Sequence, residues 1–318
     1  MSTPVTNIDA DRKYRLITRS DMDGLVCAIL LKELNLISDI LFAHPKDMQD
    51  GLIEVTENDI TTNLPYVPGV GMCFDHHTSE AKRNENTQVD NYIIDPKAPS
   101  AARVVYDYYG GKETFPRISD EMMIAVDKAD SAAFTKEDIL DSQGWELLSF
   151  IMDARTGLGR FRNFTISNYQ LMMQLIDYCR EHNDIKDILA LPDVKERVDI
   201  YKSHQIKARQ QIESAAHIHG KTVVLDLRDK EPIYAANRFM VYALFPNCNI
   251  SVHVLNGKNN QNTVFAVGKS ILNRTNQTNI GPLMLEYGGG GHEAAGTCQV
   301  DNNDASKILS ELLPRLQP

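Results

Sequence analysis

A chain of 318 residues, 42% hydrophobic and 24% charged, exceeds the usual size of one hydrophobic core and lies far from disordered compositions, so two globular domains are expected. A formal net charge of -10 excludes coating of nucleic acid by bulk electrostatics; a phosphate-bearing substrate would need local cations or metal ions. The opening "MSTPVTNIDADRKYR" has no apolar leader, and no run approaches the roughly 18 apolar residues of a membrane span, so a cytoplasmic location without a membrane partner is expected.

In chain order, "YRLIT" (Tyr14 to Thr18) predicts a strand and "GLVCAILLKELN" (Gly24 to Asn35) a helix, its apolar residues recurring at helical spacing. "DILFAH" and "GVGMCF" predict further strands, separated by polar and Pro/Gly-rich stretches such as "NLPYVPGVG". Strands alternating with helices predict a parallel sheet covered on both faces. "APSAARVVYDYYGG" reads as a helix with a glycine stop, and "SDEMMIAVDKADSAAF" as a helix capped by Ser119. From "GWELLSFIMDAR" to "SAAHIHG" the pattern is helical, with no strand of weight. After Gly220 strands return in "KTVVLDL" and, as two strands around an Asn/Gly turn, in "CNISVHVLNGKNNQNTVFAVGKS"; "NDASKILSELLPRL" closes the chain as a helix. The expected fold class is α/β: a parallel-sheet domain over residues 1–190, a helical linker over 191–220 and a smaller α/β domain over 221–318. Cys27, Cys73, Cys179, Cys248 and Cys298 are odd in number and far apart, the pattern of reduced, buried side chains.

Functional groups in open parallel sheets collect at the carboxyl ends of strands. Two such ends carry acids or imidazoles here: Asp21 and Asp23 before Gly24, and Asp75, His76 and His77 in "MCFDHHTSE". Asp127 and Asp130 end a predicted helix, where carboxylates oppose the dipole unless a positive group is near. Carboxylate oxygens with imidazole nitrogens suit manganese, iron, zinc or, less readily, magnesium, and two ions about 4 Å apart can hold a phosphoryl group and activate water. Singly, each piece has a plain reading: a turn, a helix cap, a solvated helical face. The argument rests on the set.

Gly288 to Gly291 in "EYGGGGHEAAG" are unfavourable in helix or strand, so the backbone there is expected to approach something closely or adopt positive φ, forming an anion cradle with His292; a flexible linker is the alternative. "AVGKS" is not a P-loop, because Thr263 stands where the motif needs glycine, but Lys269 remains a phosphate contact. Arg155, Arg160 and Arg162 are further candidate cations.

Together these motifs resemble the DHH phosphoesterase superfamily with its associated C-terminal domain. Asp21-Met22-Asp23-Gly24 looks like the first motif, Asp75-His76-His77 the third, Asp130 in "ADSAAF" the fourth, and Gly289 to Gly296 the C-terminal GGGH signature. The overall texture is most similar to chains termed exopolyphosphatase-related. The resemblance implies a DHH domain and a substrate-gripping C-terminal domain, with manganese or another divalent metal, one or two ions, held by Asp21, Asp23, His76 and Asp130. It gives His77 a contact to the scissile phosphate or its leaving oxygen and the glycine signature a part in gripping substrate; the residues expected in catalysis are then His77, Arg19 and Asp75, and those expected in substrate binding Lys269, Gly289, Gly290, Gly291 and His292. It implies hydrolysis of phosphoester or phosphoanhydride bonds in a small phosphorylated substrate or short oligonucleotide; a homodimer is one arrangement open to the chain, and the sequence does not name its oligomeric state. The alternative is a degenerate DHH module that binds nucleotide or phosphate without turnover.

Two departures stand out. The first motif usually carries a histidine where this chain has Arg19 or Ile17, and a bridging aspartate is usual where it has Asn63, with Asp59 the nearest acid. A cation in place of a ligand and a neutral amide in place of a bridge both disfavour a two-ion site. The expectation is a single ion on Asp23, His76 and Asp130, with Arg19 taking part of one ion's electrostatic role; the alternative is a simple Arg19–Asp21 pair, with the bridging position a few residues away from Asn63.

Overall fold

The computed structural model describes residues 12–84, 89–161 and 163–317; Arg162 lies outside them. They divide into two compact units. The first takes the described residues up to Ala133 with Gln143–Ala154 and Phe161–Val198; the second takes Phe134–Ser142, Arg155–Arg160 and the chain from Asp199 on.

The first unit begins with β1 (Tyr14–Thr18), α1 (Met22–Glu33), β2 (Ile37–Phe42), α2 (Pro45–Gln49), β3 (Asp59–Thr62), β4 (Met72–Asp75), α3 (Thr78–Arg83), β5 (Tyr92–Ile94), α4 (Ala101–Tyr108) and α5 (Asp120–Asp130). Its five strands are all parallel in the order β2-β1-β3-β4-β5. Strand order therefore reverses between β1 and β3, and the crevice beyond the carboxyl ends at such a switch point is where open α/β sheets bind ligands. Helix α1 is apolar on every side and buried from Met22 to Leu31, as a helix covering a sheet beneath other helices must be. Gly24 is required there: a Cβ would lie 1.9 Å from the Arg19 carbonyl oxygen. Ser119 caps α5 by accepting from the amides of Glu121 and Met122.

The predicted β1, α1, β2, β4, α4 and α5 are all found, whereas β3 and β5 carried too little apolar alternation to be picked out. The unit is completed by α7 (Gly144–Met152), α8 (Asn168–Glu181) and α9 (Ile185–Ala190), while the short helix preceding them, α6 (Lys136–Leu140), belongs to the second unit. Helix α10 (Pro192–Ala215) begins in the first unit and ends in the second.

The second unit contains β6 (Ala216–His219), β7 (Thr222–Asp226), α11 (Met240–Leu244), β8 (Ile250–Asn256), β9 (Thr263–Lys269), α12 (Ile280–Leu285), β10 (Gly290–Gly291), β11 (Ala295–Val300) and α13 (Ala305–Arg315). The sheet order is β10-β11-β9-β8-β7-β6, with β7 and β8 parallel and the other pairs antiparallel. Alternate residues Ile250, Val252, Val254, Phe265 and Val267 form a core with Ile280, Met284 and Leu312. Two expectations are corrected. "AHIH", placed in a helical run, is the edge strand β6, because pairing with β7 outweighs local pattern. Gly290 and Gly291, judged unfit for a strand, form β10 by pairing with β11; a Cβ on Gly291 would meet the Ala295 carbonyl oxygen at 2.3 Å, and one on neighbouring Gly289 the Thr297 carbonyl oxygen at 2.0 Å, whereas Gly290 faces open space. All five cysteines are free and buried. Among the described residues no helix is long and apolar enough to cross a membrane.

Candidate active site

The acids of the first motif sit where β1 turns into α1. Asp21 is the N-cap of that helix, accepting from the Gly24 amide at 3.1 Å, and its carboxylate lies 3.1 Å from Nε of Arg19. Asp23, the second residue of the helix and within its first turn, is 1% exposed. Its two oxygens accept from the amides of Ala101 (3.1 Å) and Ala102 (2.8 Å), the first residues of α4, so the start of a second helix stabilises its charge.

At the end of β4, Asp75 is fully buried; its Oδ1 accepts from the His76 amide at 2.9 Å and from Nδ1 of His77 at 2.7 Å. An ionised carboxylate only accepts, so His77 carries its proton on Nδ1 and turns Nε2 away from Asp75. His76 is held from the other side. Its Nδ1 lies 3.2 Å from the Ala98 carbonyl oxygen, which can only accept, so Nε2 of the neutral ring holds the lone pair. That Nε2 is 2.7 Å from Oδ2 of Asp130, without the geometry of a hydrogen bond.

Asp23, His76 and Asp130 thus converge, one donor atom from each lying within 4.8 Å of the others. Their electrostatics are those of a site short of positive charge. Burial and the neighbouring Asp130 push the Asp23 carboxyl well above the usual range. Burial lowers the His76 imidazole, but contact with Asp130 and the charge of Asp23 more than reverse this, taking it to about 9. Burial would raise Asp130, yet His76, His77 and Arg19 hold it below the ordinary carboxylate value. Two carboxylates and an imidazole whose other nitrogen is anchored on a backbone carbonyl fit a divalent cation: the set offers oxygen and nitrogen donors, a fixed tautomer, and excess negative charge that a cation would neutralise.

Asp127, by contrast, is taken by Arg103 (3.0 and 2.6 Å) and the Ser100 hydroxyl (2.7 Å), which supplies the positive neighbour its place on the helix required. Asp59 lies at the other end of β3, paired with Arg15 at 2.7 Å. Sequence reasoning missed Ala98, Ser100 and the first amides of α4; the one signal was Ser100 before "AARVV", a capping residue ahead of an apolar run.

In the second unit Lys269, Gly289, Gly290, Gly291 and His292 gather around β10 and β11. The Lys269 amide donates to Ala294, that of His292 to Ala295, and Lys269 Nζ lies 3.7 Å from Glu293. The glycine run is therefore built structure rather than a linker. Arg155 and Arg160 also belong to this unit.

The pGpG-specific phosphodiesterase PggH of Vibrio cholerae is 56% identical to the chain, covering 96% of it and 99% of that protein with a TM-score of 0.83. The chain belongs to the DHH phosphoesterase superfamily. It is an enzyme, a hydrolase of phosphoester bonds. RecJ of Thermus thermophilus in complex with Mn2+ (14% identity, 95% of this chain, 52% of that one, TM-score 0.44) and CDC45 of Entamoeba histolytica (8%, 96% of each, 0.48) are also similar, too distantly to inform this site. No family model and no curated protein matches the chain.

Proposed function

We propose that the chain hydrolyses a short 5′-phosphorylated dinucleotide of the pGpG type, with one divalent cation, manganese in the first place, on Asp23, His76 and Asp130. The observation that carries the substrate is the 56% identity, over nearly the full length of both chains, to a pGpG-specific phosphodiesterase. The converging donor triad supports the cation. Bound there, such a cation supplies polarisation of the phosphoryl group and a lowered pKa of water.

The remaining chemistry falls to the chain's own groups. Asp75 holds Nδ1–H of His77, so the ring in its imidazolium form can give the proton on its other nitrogen to the departing 3′-oxygen as water adds to phosphorus and the P–O3′ bond breaks; the proton that the water sheds passes to solvent, from which the ring is reprotonated. The products are two 5′-mononucleotides. Arg19, drawn toward Asp21, Asp130, Asp23 and Asp153, stands where positive charge can meet a phosphoryl oxygen. Asp21, pinned as a cap and paired with Arg19, has the role of orienting that guanidinium rather than holding a second ion. In the second unit, Lys269 and the glycine turn are the proposed contacts to the rest of the substrate.

Purified protein with Mn2+ is expected to convert pGpG to GMP, to lose activity with a chelator, and to bind one ion per chain by elemental analysis. His77→Ala should lower kcat by about 10²–10⁴-fold. Intact pGpG after incubation with Mn2+ or Mg2+ would overturn the reading, and two tightly held ions would overturn the single-cation assignment.

A further inference from the structure

One side chain at the switch point remains unexplained. Asn63 directly follows β3, the strand between β1 and β4, and its backbone N–H donates to the Phe74 carbonyl at 3.1 Å, one residue before Asp75. On its other flank the Thr18 hydroxyl donates to the Thr62 carbonyl, one residue before Arg19. Asn63 therefore sits between the two strand ends that carry the site. Its backbone is left-handed (φ 55), and the residue is 1% exposed. Neither Oδ1 nor Nδ2 has a hydrogen-bond partner among the described residues, and Oδ2 of Asp75 on the adjoining strand is likewise buried without one.

A buried amide with both ends unmatched forfeits its hydration and receives nothing in return, so such a group points to a ligand that the protein binds. The surrounding charge indicates which ligand. Asp21, Asp23, Asp75 and Asp130 all flank these strand ends, and a phosphodiester, anionic and able only to accept, is repelled by each of them. Beside Arg19 and the proposed cation, a neutral side chain that donates N–H meets such a substrate without adding to that repulsion, and an aspartate could not serve. We propose that Asn63 is a substrate-binding residue: its Nδ2–H donates to a phosphoryl oxygen of the scissile group, while Oδ1 is left to the cation side of the site. This rests on the phosphoester site assigned above and adds a residue to its recognition of substrate.

The test compares Asn63→Asp, nearly isosteric and tolerant of the left-handed backbone, with Asn63→Gly, which relieves that backbone and removes the amide. Both should fold, by circular dichroism and thermal melting. With pGpG as substrate, Asn63→Asp should raise KM by about tenfold or more, the loss expected for a hydrogen bond to a charged group, with a smaller rise for Asn63→Gly. Calorimetric titration of the Mg2+-loaded protein with inorganic phosphate gives a readout independent of turnover. Wild type should bind, and Asn63→Asp should bind about tenfold more weakly or worse. KM and phosphate affinity within twofold of wild type in both variants would overturn the inference and leave Asn63 with a buried water. Failure of the wild type to cleave pGpG, with phosphate binding still lost in Asn63→Asp, would overturn only the choice of substrate. Absence of phosphate binding to wild type would overturn the inference itself.

Discussion

At the scale of single residues, the site is governed by what each backbone position permits. Gly24 shows this directly. In a helix an alanine is favoured over glycine by about 1 kcal/mol, but here its methyl would stand 1.9 Å from the Arg19 carbonyl oxygen, which is main chain and cannot swing aside. Overpacking outweighs propensity, so Gly24→Ala should lower the urea midpoint by the equivalent of about 1–3 kcal/mol and displace Arg19. An unchanged midpoint would show that the turn relaxes freely. His76 illustrates the same dependence in chemical form. Read along the chain, it is one of two adjacent imidazoles; in the fold, the Ala98 carbonyl selects its tautomer, while Asp75 does so for His77. The histidines were legible as candidates, but their division of labour was not, because it depends on an acceptor 22 residues away in sequence.

At the scale of elements, helix ends position the acids. Asp23 accepts from the first amides of α4, Asp21 caps α1, and Asp130 is the last residue of α5. Loosening one of these ends should therefore cost stability and disturb the triad together. Ser119→Ala, which removes the α5 cap at the end opposite Asp130, is expected to destabilise by about 1 kcal/mol in chemical denaturation while leaving Mn2+ affinity within a few-fold. Replacing Ser100, which is buried, caps α4 and binds Asp127, should cost more and weaken Mn2+ binding in calorimetry, since the amides on Asp23 move with that helix. Equal effects of the two would argue against α4 as the support of the site. The helices and caps were readable from apolar period and capping residues. Strands β3 and β6 were not, because four-residue segments owe their state to neighbours in the sheet.

At the scale of the molecule, the two units respond to different conditions. His253 lies within β8 beside Leu225 and Ala266, and burial pushes its imidazole down to about 4. Below the unfolded value of about 6.5 the unfolded chain takes up a proton that the folded chain refuses, so this residue costs no stability above that pH and an increasing amount as pH falls toward 4. His253→Phe should consequently flatten the decline of the denaturation midpoint between pH 6.5 and 5 relative to wild type. A parallel decline in both proteins would remove His253 as its cause. The cation proposed on Asp23, His76 and Asp130 would act on the other unit. A ligand at about 100 times its dissociation constant adds about 2.7 kcal/mol, and hydrogen exchange should register the added protection from Mn2+ at the ends of α1, α4 and α5 rather than in the second sheet. Protection spread evenly over both units would contradict a site confined to the first.

Apolar period and turn chemistry in the sequence by themselves determined an α/β chain with a parallel sheet early and an antiparallel pair late, and placed acids and imidazoles at strand ends, because these signals are local. Only the tertiary structure decided which of those groups meet. It sent Asp127 to Arg103 and Asp130 to His76 from positions three apart on one helix, set Asp59 at the far end of its strand, and enclosed Asn63 between two strand tips. The physical reason is that pairing and burial are set by distances through space, to which spacing along a chain gives no access until strand order and register are known.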